Sequence, residues 1–207
     1  LDFVALLPPL GFFAVNVVTP GPNVLTTIGI SLGSGRAAGY GCAAACGVGV
    51  LVWAAAALLG AGALFAAVPE TRAGLTVVGA VVLLYFAFRY ARRAMMPPDA
   101  VARIEGTTPR AAFSQSLMVL ASNPKALTTW VAMLTIFPII SRGWDMMLAF
   151  AFGCAMVATL CHVFYATLFS SNRAARIYAM AVRPVNGAVA VGFTIYAVKL
   201  LLDVAAE

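Results

Sequence analysis

Thr19-Pro20-Gly21-Pro22-Asn23 lies inside an apolar run that extends from Phe3 to about Leu32. A proline in a helix interior removes a backbone hydrogen bond and clashes with the preceding turn, at a cost of about 3 kcal/mol. Two prolines bracketing a glycine therefore break the helix here, while residues 11–18 and 24–30 on either side are apolar enough to lie in lipid. Irregular backbone at membrane depth is tolerated only where protein or a water-filled cavity surrounds it. Discontinuous helices of this kind build the central sites of transporters, so the stretch bears on function as well as on fold.

The rest of the chain is written for the same solvent. Of its 207 residues, 63% are hydrophobic and 10% charged, with a mean hydropathy of +0.98; a soluble domain carries about 25% charged residues. A spanning helix takes about 20 mainly apolar residues, and six such spans are read along the chain. The first is 3–32, broken at 19–23; the second is 37–68, with an Ala-rich core around Trp53. The third is 75–95, ended by Pro97-Pro98, and the fourth is 112–140, interrupted at Asn123-Pro124-Lys125. The fifth is 144–169, and the sixth is 185–202 with Pro184 in its first turn, where proline suits a helix start. The N-terminus Leu1-Asp2-Phe3 has no basic n-region or evident cleavage site, so the first run is expected to be a span and not a signal peptide.

The formal charge of +6 does not point to nucleic acid, because the arginines fall between apolar runs and form no solvated basic face. Arg36, Arg89, Arg92, Arg93, Arg103, Arg110, Arg173, Arg176 and Arg183 collect on one side of the predicted topology, against Arg72, Arg142 and Lys199 on the other. The richer side is expected to be cytoplasmic, which places both termini in the periplasm.

An internal repeat runs through the chain. Pro22-Asn23-Val24-Leu25-Thr26-Thr27 matches Pro124-Lys125-Ala126-Leu127-Thr128-Thr129 at an offset of 102 residues, and the offset also carries the second span onto the fifth. The alternative is a chance match between two Thr-rich helices, but both copies start at a helix break. With three spans per copy, the copies must lie in opposite orientation, and inverted repeats with matched broken helices point to a transporter's site. The expected architecture is an all-α membrane protein: six transmembrane helices as a 3+3 inverted repeat, with helices 1 and 4 broken. One repeat covers 1–96, a cytoplasmic linker 97–111 and the second repeat 112–207, all in one membrane domain. Gly33, Gly35, Gly39 and Gly47 open the second span with the close spacing that lets helix backbones approach in lipid, so helix packing is expected of them.

Lys125 is the most informative single residue. A lysine in the middle of a span costs about 2.5–3.5 kcal/mol on the insertion scale, and it is too far from either end of the span to snorkel easily. It follows Asn123-Pro124, where asparagine can cap a restarting helix and proline fits the first position. Lysine and a helix N-terminus together make a carboxylate site, so Lys125 is expected to act on substrate directly or from nearby. Asn23 occupies the matching repeat position, and Asn16, Thr19 and Asn23 form a polar stripe leading into the first break. These polar groups either line the pathway, with Pro20, Gly21 and Pro22 shaping it, or satisfy backbone freed by the prolines.

All seven acids, Asp2, Glu70, Asp99, Glu105, Asp145, Asp203 and Glu207, fall near span ends or in loops. The site therefore suits a neutral amino acid better than a cationic side chain, and proton coupling would fall to Lys125, His162 or the substrate itself. His162 is read as a hydrogen-bonded packing residue in preference to a relay. Cys42, Cys46, Cys154 and Cys161 all lie within spans and form no secreted disulfide framework. One histidine and no nearby acid make a poor ligand set, so neither metal nor cofactor is expected. No nucleophile–base pair, phosphate loop or nucleotide motif occurs, so the chain does not read as an enzyme.

Thr19-Pro20-Gly21-Pro22-Asn23, followed by Gly33, Gly35-Arg36 and Gly39, with Asn123-Pro124-Lys125-Ala126 later, resembles the LysE/RhtB family of bacterial amino-acid exporters. The resemblance covers nearly the whole chain. It implies a secondary-active carrier in the bacterial inner membrane that exports amino acids or their derivatives, driven by the proton gradient. The absence of deep acids favours the homoserine- and threonine-like branch, and both motifs would line the pathway. Its partners would be the amino acid, protons and the bilayer, with the oligomeric state left open. Two other classes use chains of this size: a membrane thiol–disulfide electron carrier, which needs cysteines beside the breaks, and a metal-ion exporter, which needs more His, Asp and Glu than this chain has.

Overall fold

Helix α1 (Leu7–Val18), entered through a 3-10 turn at Val4–Leu6, stops at the first break, and α2 (Pro22–Ser34) restarts with proline as its first residue. The computed structural model describes residues 4–19, 21–67, 71–96, 103–137, 140 and 143–205. Pro20, and the Pro97-Pro98 pair expected to end the third span, fall outside the described residues, as do parts of the linker. Six further helices follow: α3 (Arg36–Ala67), α4 (Thr71–Met95), α5 (Pro109–Ala121), α6 (Pro124–Ile136), α7 (Trp144–Leu168) and α8 (Asn172–Ala205). Among the described residues there is no strand.

Three of these helices contain stretches long and apolar enough to cross a membrane: Arg36–Leu58, Trp144–Leu168 and Arg183–Leu202. The pair Val4–Val18 and Pro22–Ser34, bent by 52° at the break, supplies a fourth if read as one span. The outward face of α7 shows what surrounds it. Phe152, Met156, Leu160 and Phe164 recur every four residues and stand about 60% exposed, an apolar stripe on one side of a helix.

Pro184 departs from expectation. It does not open the last helix but lies inside α8, which begins at Asn172. Proline removes one ladder bond, yet the helix runs on, packed along α4, with Arg183 Nε donating to the Ala94 carbonyl of α4 at 2.9 Å. Gly35 also departs from the expected packing series. An added Cβ there would meet nothing within 4 Å, and its φ of 86° marks it as the left-handed residue that ends α2. Gly39 and Gly47 do face neighbours closely. A Cβ on Gly39 would strike Ser31 of α2 and Ala166 of α7, and one on Gly47 would strike Thr159 of α7.

Packing sets the frame for the breaks. The most extensive helix pairs are α4 with α8 and α3 with α7; α5 lies on α3 and α1 on α7. The largest core cluster joins Phe13 of α1, Trp130 of α6 and Phe150 of α7, and a second joins Phe86 and Tyr90 of α4 to Phe193 of α8. The described part of the linker is docked on α2. Ile104 N–H donates to the Gly29 carbonyl at 3.0 Å, Ser34 Oγ donates to the Ile104 carbonyl at 2.6 Å, and Gly33 leaves room for the Ile104 backbone. These helices thus close around the place where α1 ends and where α2 and α6 begin.

Candidate functional site

A helix ends with carbonyls that have no intrahelical donor, and α1 ends in the middle of the protein. Partners are found for the carbonyls of Val15, Asn16 and Val18. Val15 O accepts from Thr19 N–H at 3.2 Å, and Val18 O from the Tyr165 hydroxyl at 2.6 Å. Asn16 O accepts from Thr19 Oγ1 at 2.7 Å and from Lys125 Nζ at 2.6 Å. Thr19 O accepts from Lys125 Nζ at 3.0 Å, and the same ammonium reaches Thr19 Oγ1 at 3.2 Å. The Thr19 hydroxyl spends its proton on the α1 carbonyls, so the Tyr90 hydroxyl, 2.6 Å away, is the donor of that pair. Lys125 Nζ also lies 5.6 Å from the centre of the Tyr90 ring, within cation–π range.

The three N–H bonds of the ammonium therefore meet three oxygens at the negative end of a helix, where a cation is favoured. The sequence placed Lys125 beside the N-terminus of its own helix. The structure sends its side chain to the C-terminus of another. Gly21 makes the reach possible: its backbone is extended, with φ −149° and ψ 176°, so its lack of a side chain serves space and not conformation. A Cβ on Gly21 would lie 3.2 Å from Lys125 Cδ and 3.3 Å from Nζ.

The two helix starts differ. Asn123 caps α6 through its side chain, Oδ1 accepting from Lys125 N–H at 3.0 Å. Gly21 offers α2 no such cap, Pro22 has no N–H, and the first intrahelical bond is Leu25 N–H to Gly21 O at 3.0 Å. The N–H groups of Asn23 and Val24 precede that bond, and among the described residues no side chain caps them. The breaks are joined directly, because Asn123 Nδ2 donates to Asn23 Oδ1 at 3.2 Å. Asn23 Nδ2 in turn donates to the Ser116 carbonyl at 3.2 Å and to Cys46 Sγ at 3.6 Å.

Two cavities meet at this junction. A central one of about 70 Å³ is bounded by Asn16, Gly21, Asn23, Asn123, Lys125 and His162, with Trp53 and Trp130 among its apolar walls. That volume holds several waters or one small solute, since a single water needs roughly 10–15 Å³ by this measure. A vestibule of about 220 Å³ on the other side carries Arg89, Arg92 and Arg93 of α4, and shares Gly21, Asn123 and Lys125 with the central cavity. Lys125 and Gly21 thus form a partition between a basic vestibule and a mostly apolar chamber.

Of the residues singled out from sequence, Asn16, Gly21, Asn23, Asn123 and Lys125 come together on the central cavity, Pro22 faces the vestibule, and Pro124 is the first residue of α6. Thr19 stands at the end of α1 under Lys125. Sequence reasoning missed Tyr90 and Tyr165, whose hydroxyls hold that end. A tyrosine inside an apolar run needs a hydroxyl partner when buried, and that was the available signal. It also assigned His162 to packing. The ring does bond to its own helix, Nδ1 lying 2.8 Å from the Ala158 carbonyl, yet it also lines the central cavity. Cys46 is remote from both breaks in sequence but touches Asn23 in space.

The end of α1 is thus held by a lysine from the second break, with a chamber beside it. The sequence profile of LysE type translocators matches residues 14–204, nearly the whole chain and both breaks. The chain belongs to the LysE type translocator family. It is 23% identical over 196 residues to the uncharacterized membrane protein YahN of Escherichia coli (strain K12), covering 94% of this chain and 87% of that one. It is 34% identical over 122 residues to the uncharacterized membrane protein PA4757 of Pseudomonas aeruginosa, 56% of each chain. No solved structure matches it. Family, relatives and apolar helices together identify a multi-pass membrane translocator.

Proposed function

We propose that this translocator is a secondary-active exporter of amino acids or their derivatives, neutral and homoserine- or threonine-like, across the bacterial inner membrane. The observation that carries the reading is the partition at Lys125, between a vestibule lined by three arginines and a chamber lined by polar groups from both breaks. The arginine side faces the cytoplasm by the positive-inside rule, so substrate enters there, and both termini are periplasmic.

The fold works as six spans in a 3+3 inverted repeat. In support, α1 and α5 start at Leu7 and Pro109, and α2 and α6 at Pro22 and Pro124, both pairs 102 residues apart. In further support, α3 and α4 pair with their repeat counterparts α7 and α8. Alternating access proceeds at the breaks. A carboxylate arriving from the vestibule competes with the α1 carbonyls for Lys125. As the ammonium turns to it, the end of α1 loses its clamp, the partition opens, and the carboxylate passes on into the chamber while Lys125 returns to α1. No Asp or Glu lines either cavity among the described residues, so coupling to the proton gradient falls to Lys125, to His162 or to the charge of the substrate itself. Thr19, Asn16, Asn23 and Asn123 take up the backbone and substrate bonds that the movement frees.

The test is growth of a bacterial host on a panel of toxic amino acids and analogues, with and without this chain, with intracellular pools measured alongside. Resistance with a lowered internal pool of the same compound is expected. Unchanged pools across the whole panel would refute amino-acid export.

A further inference from the structure

Two residues that line the central cavity each carry a buried polar atom without a hydrogen-bond partner: Asn16 Nδ2 and His162 Nε2. Their residues are 2% and 3% exposed, so water outside the protein does not reach them. Buried polar atoms are normally paired, and two on one chamber wall point to a ligand. They differ in kind. Asn16 Nδ2 can only donate. His162 Nδ1 is 2.8 Å from the Ala158 carbonyl, which can only accept, so Nδ1 carries a proton. In the neutral ring Nε2 then offers a lone pair. The residues around the chamber thus hold a spare donor on Asn16, a spare acceptor on His162 and the start of α2 without a side-chain cap from Gly21, while the Lys125 ammonium is occupied by α1.

We propose that His162 is the residue that binds the substrate's amino group, with Asn16 Nδ2 and the Asn23 and Val24 N–H groups at the start of α2 receiving its carboxylate. This rests on the amino-acid reading above. The pattern fits a zwitterion: an anion where a helix N-terminus and an amide donate, an ammonium where a ring nitrogen accepts. Phe13, Val17, Trp53 and Trp130 form the remaining wall, which suits a compact side chain.

Trp53 and Trp130 provide the readout, since a solute in the chamber alters their fluorescence. The protein in lipid nanodiscs is titrated with L-threonine, L-homoserine and L-alanine, and with the acids that lack the α-amino group: 3-hydroxybutyrate, 4-hydroxybutyrate and propionate. The wild type should favour an amino acid over its des-amino partner by about tenfold or more, as expected for one hydrogen bond to a charged group. In His162→Phe that preference should vanish through weaker binding of the amino acid alone, and His162→Gln, which supplies a carbonyl oxygen, should keep part of it. Asn16→Leu should weaken both members of each pair equally. A wild type that binds the pairs equally overturns the proposal without any variant, and so does a preference that survives in His162→Phe. If none of the three amino acids binds, the amino-acid reading itself fails and this assignment goes with it. Binding with the wrong discrimination sinks the assignment alone.

Discussion

Replacing Lys125 with methionine separates a pathway residue from a structural clamp. The variant keeps the length of the side chain and removes its charge. Three contacts go, to Asn16 O, Thr19 O and Thr19 Oγ1. Asn16 O keeps the Thr19 hydroxyl at 2.7 Å, so the Thr19 carbonyl is the group left short of its donor. An unsatisfied buried carbonyl costs about 1–3 kcal/mol, and losing a cation at a helix C-terminus about 0.3–2 kcal/mol. Against this, a lysine at membrane depth is unfavourable by about 2.5–3.5 kcal/mol, a penalty the variant escapes. The opposing effects cancel to within about 2 kcal/mol, so Lys125→Met should insert and fold as the wild type does. Counterflow of a labelled substrate in proteoliposomes should nevertheless fall to background, with the unfolding midpoint recorded on the same preparation. Transport within twofold of wild type would refute the role given to Lys125. A collapsed midpoint would refute the energetic argument and make the residue a clamp.

Gly21→Ala places a methyl 3.2 Å from Lys125 Cδ in a backbone any residue adopts; it should leave the unfolding midpoint unchanged or slightly higher, by about 0.4–1 kcal/mol of unfolded-state entropy, while slowing counterflow severalfold. Asn123→Ala removes the cap of α6 and the bond to Asn23; unfolding should come earlier by about 0.5–2 kcal/mol, with reduced transport. Cys46→Ala removes the one thiol that touches a break. Retained transport is expected, and loss of transport with normal folding would revive thiol chemistry as the function.

The breaks were legible in the sequence because proline acts locally. Pro22 and Pro124 open α2 and α6 as the first-turn preference of proline requires, and Asn123 caps α6 as its position suggested. Pro184 shows the limit. The same preference put it at a helix start, but one helix packed along α4 runs through it. Lys125 was recognisable as a costly residue at depth, whereas its partners were not. They are carbonyls of a helix more than a hundred residues earlier, and a backbone acceptor leaves no mark in composition or spacing. His162 was hidden for a related reason, since a ring bonded to its own helix looks like packing until the cavity it lines is seen. Gly35 shared its spacing with Gly39 and Gly47, and its positive φ and the open space beside it distinguish a helix end from a packing face.

That substrate occupies the chamber where the two breaks meet can be tested by protection of a single thiol. Ala126 lines the chamber, and Ala126→Cys, in a protein whose four cysteines have been replaced, can be alkylated in nanodiscs with and without an exported amino acid. The amino acid should slow labelling several-fold and leave a control cysteine at Leu148, on the exposed face of α7, unaffected. Equal labelling rates at Ala126→Cys, with saturating amino acid and without it, would contradict the account.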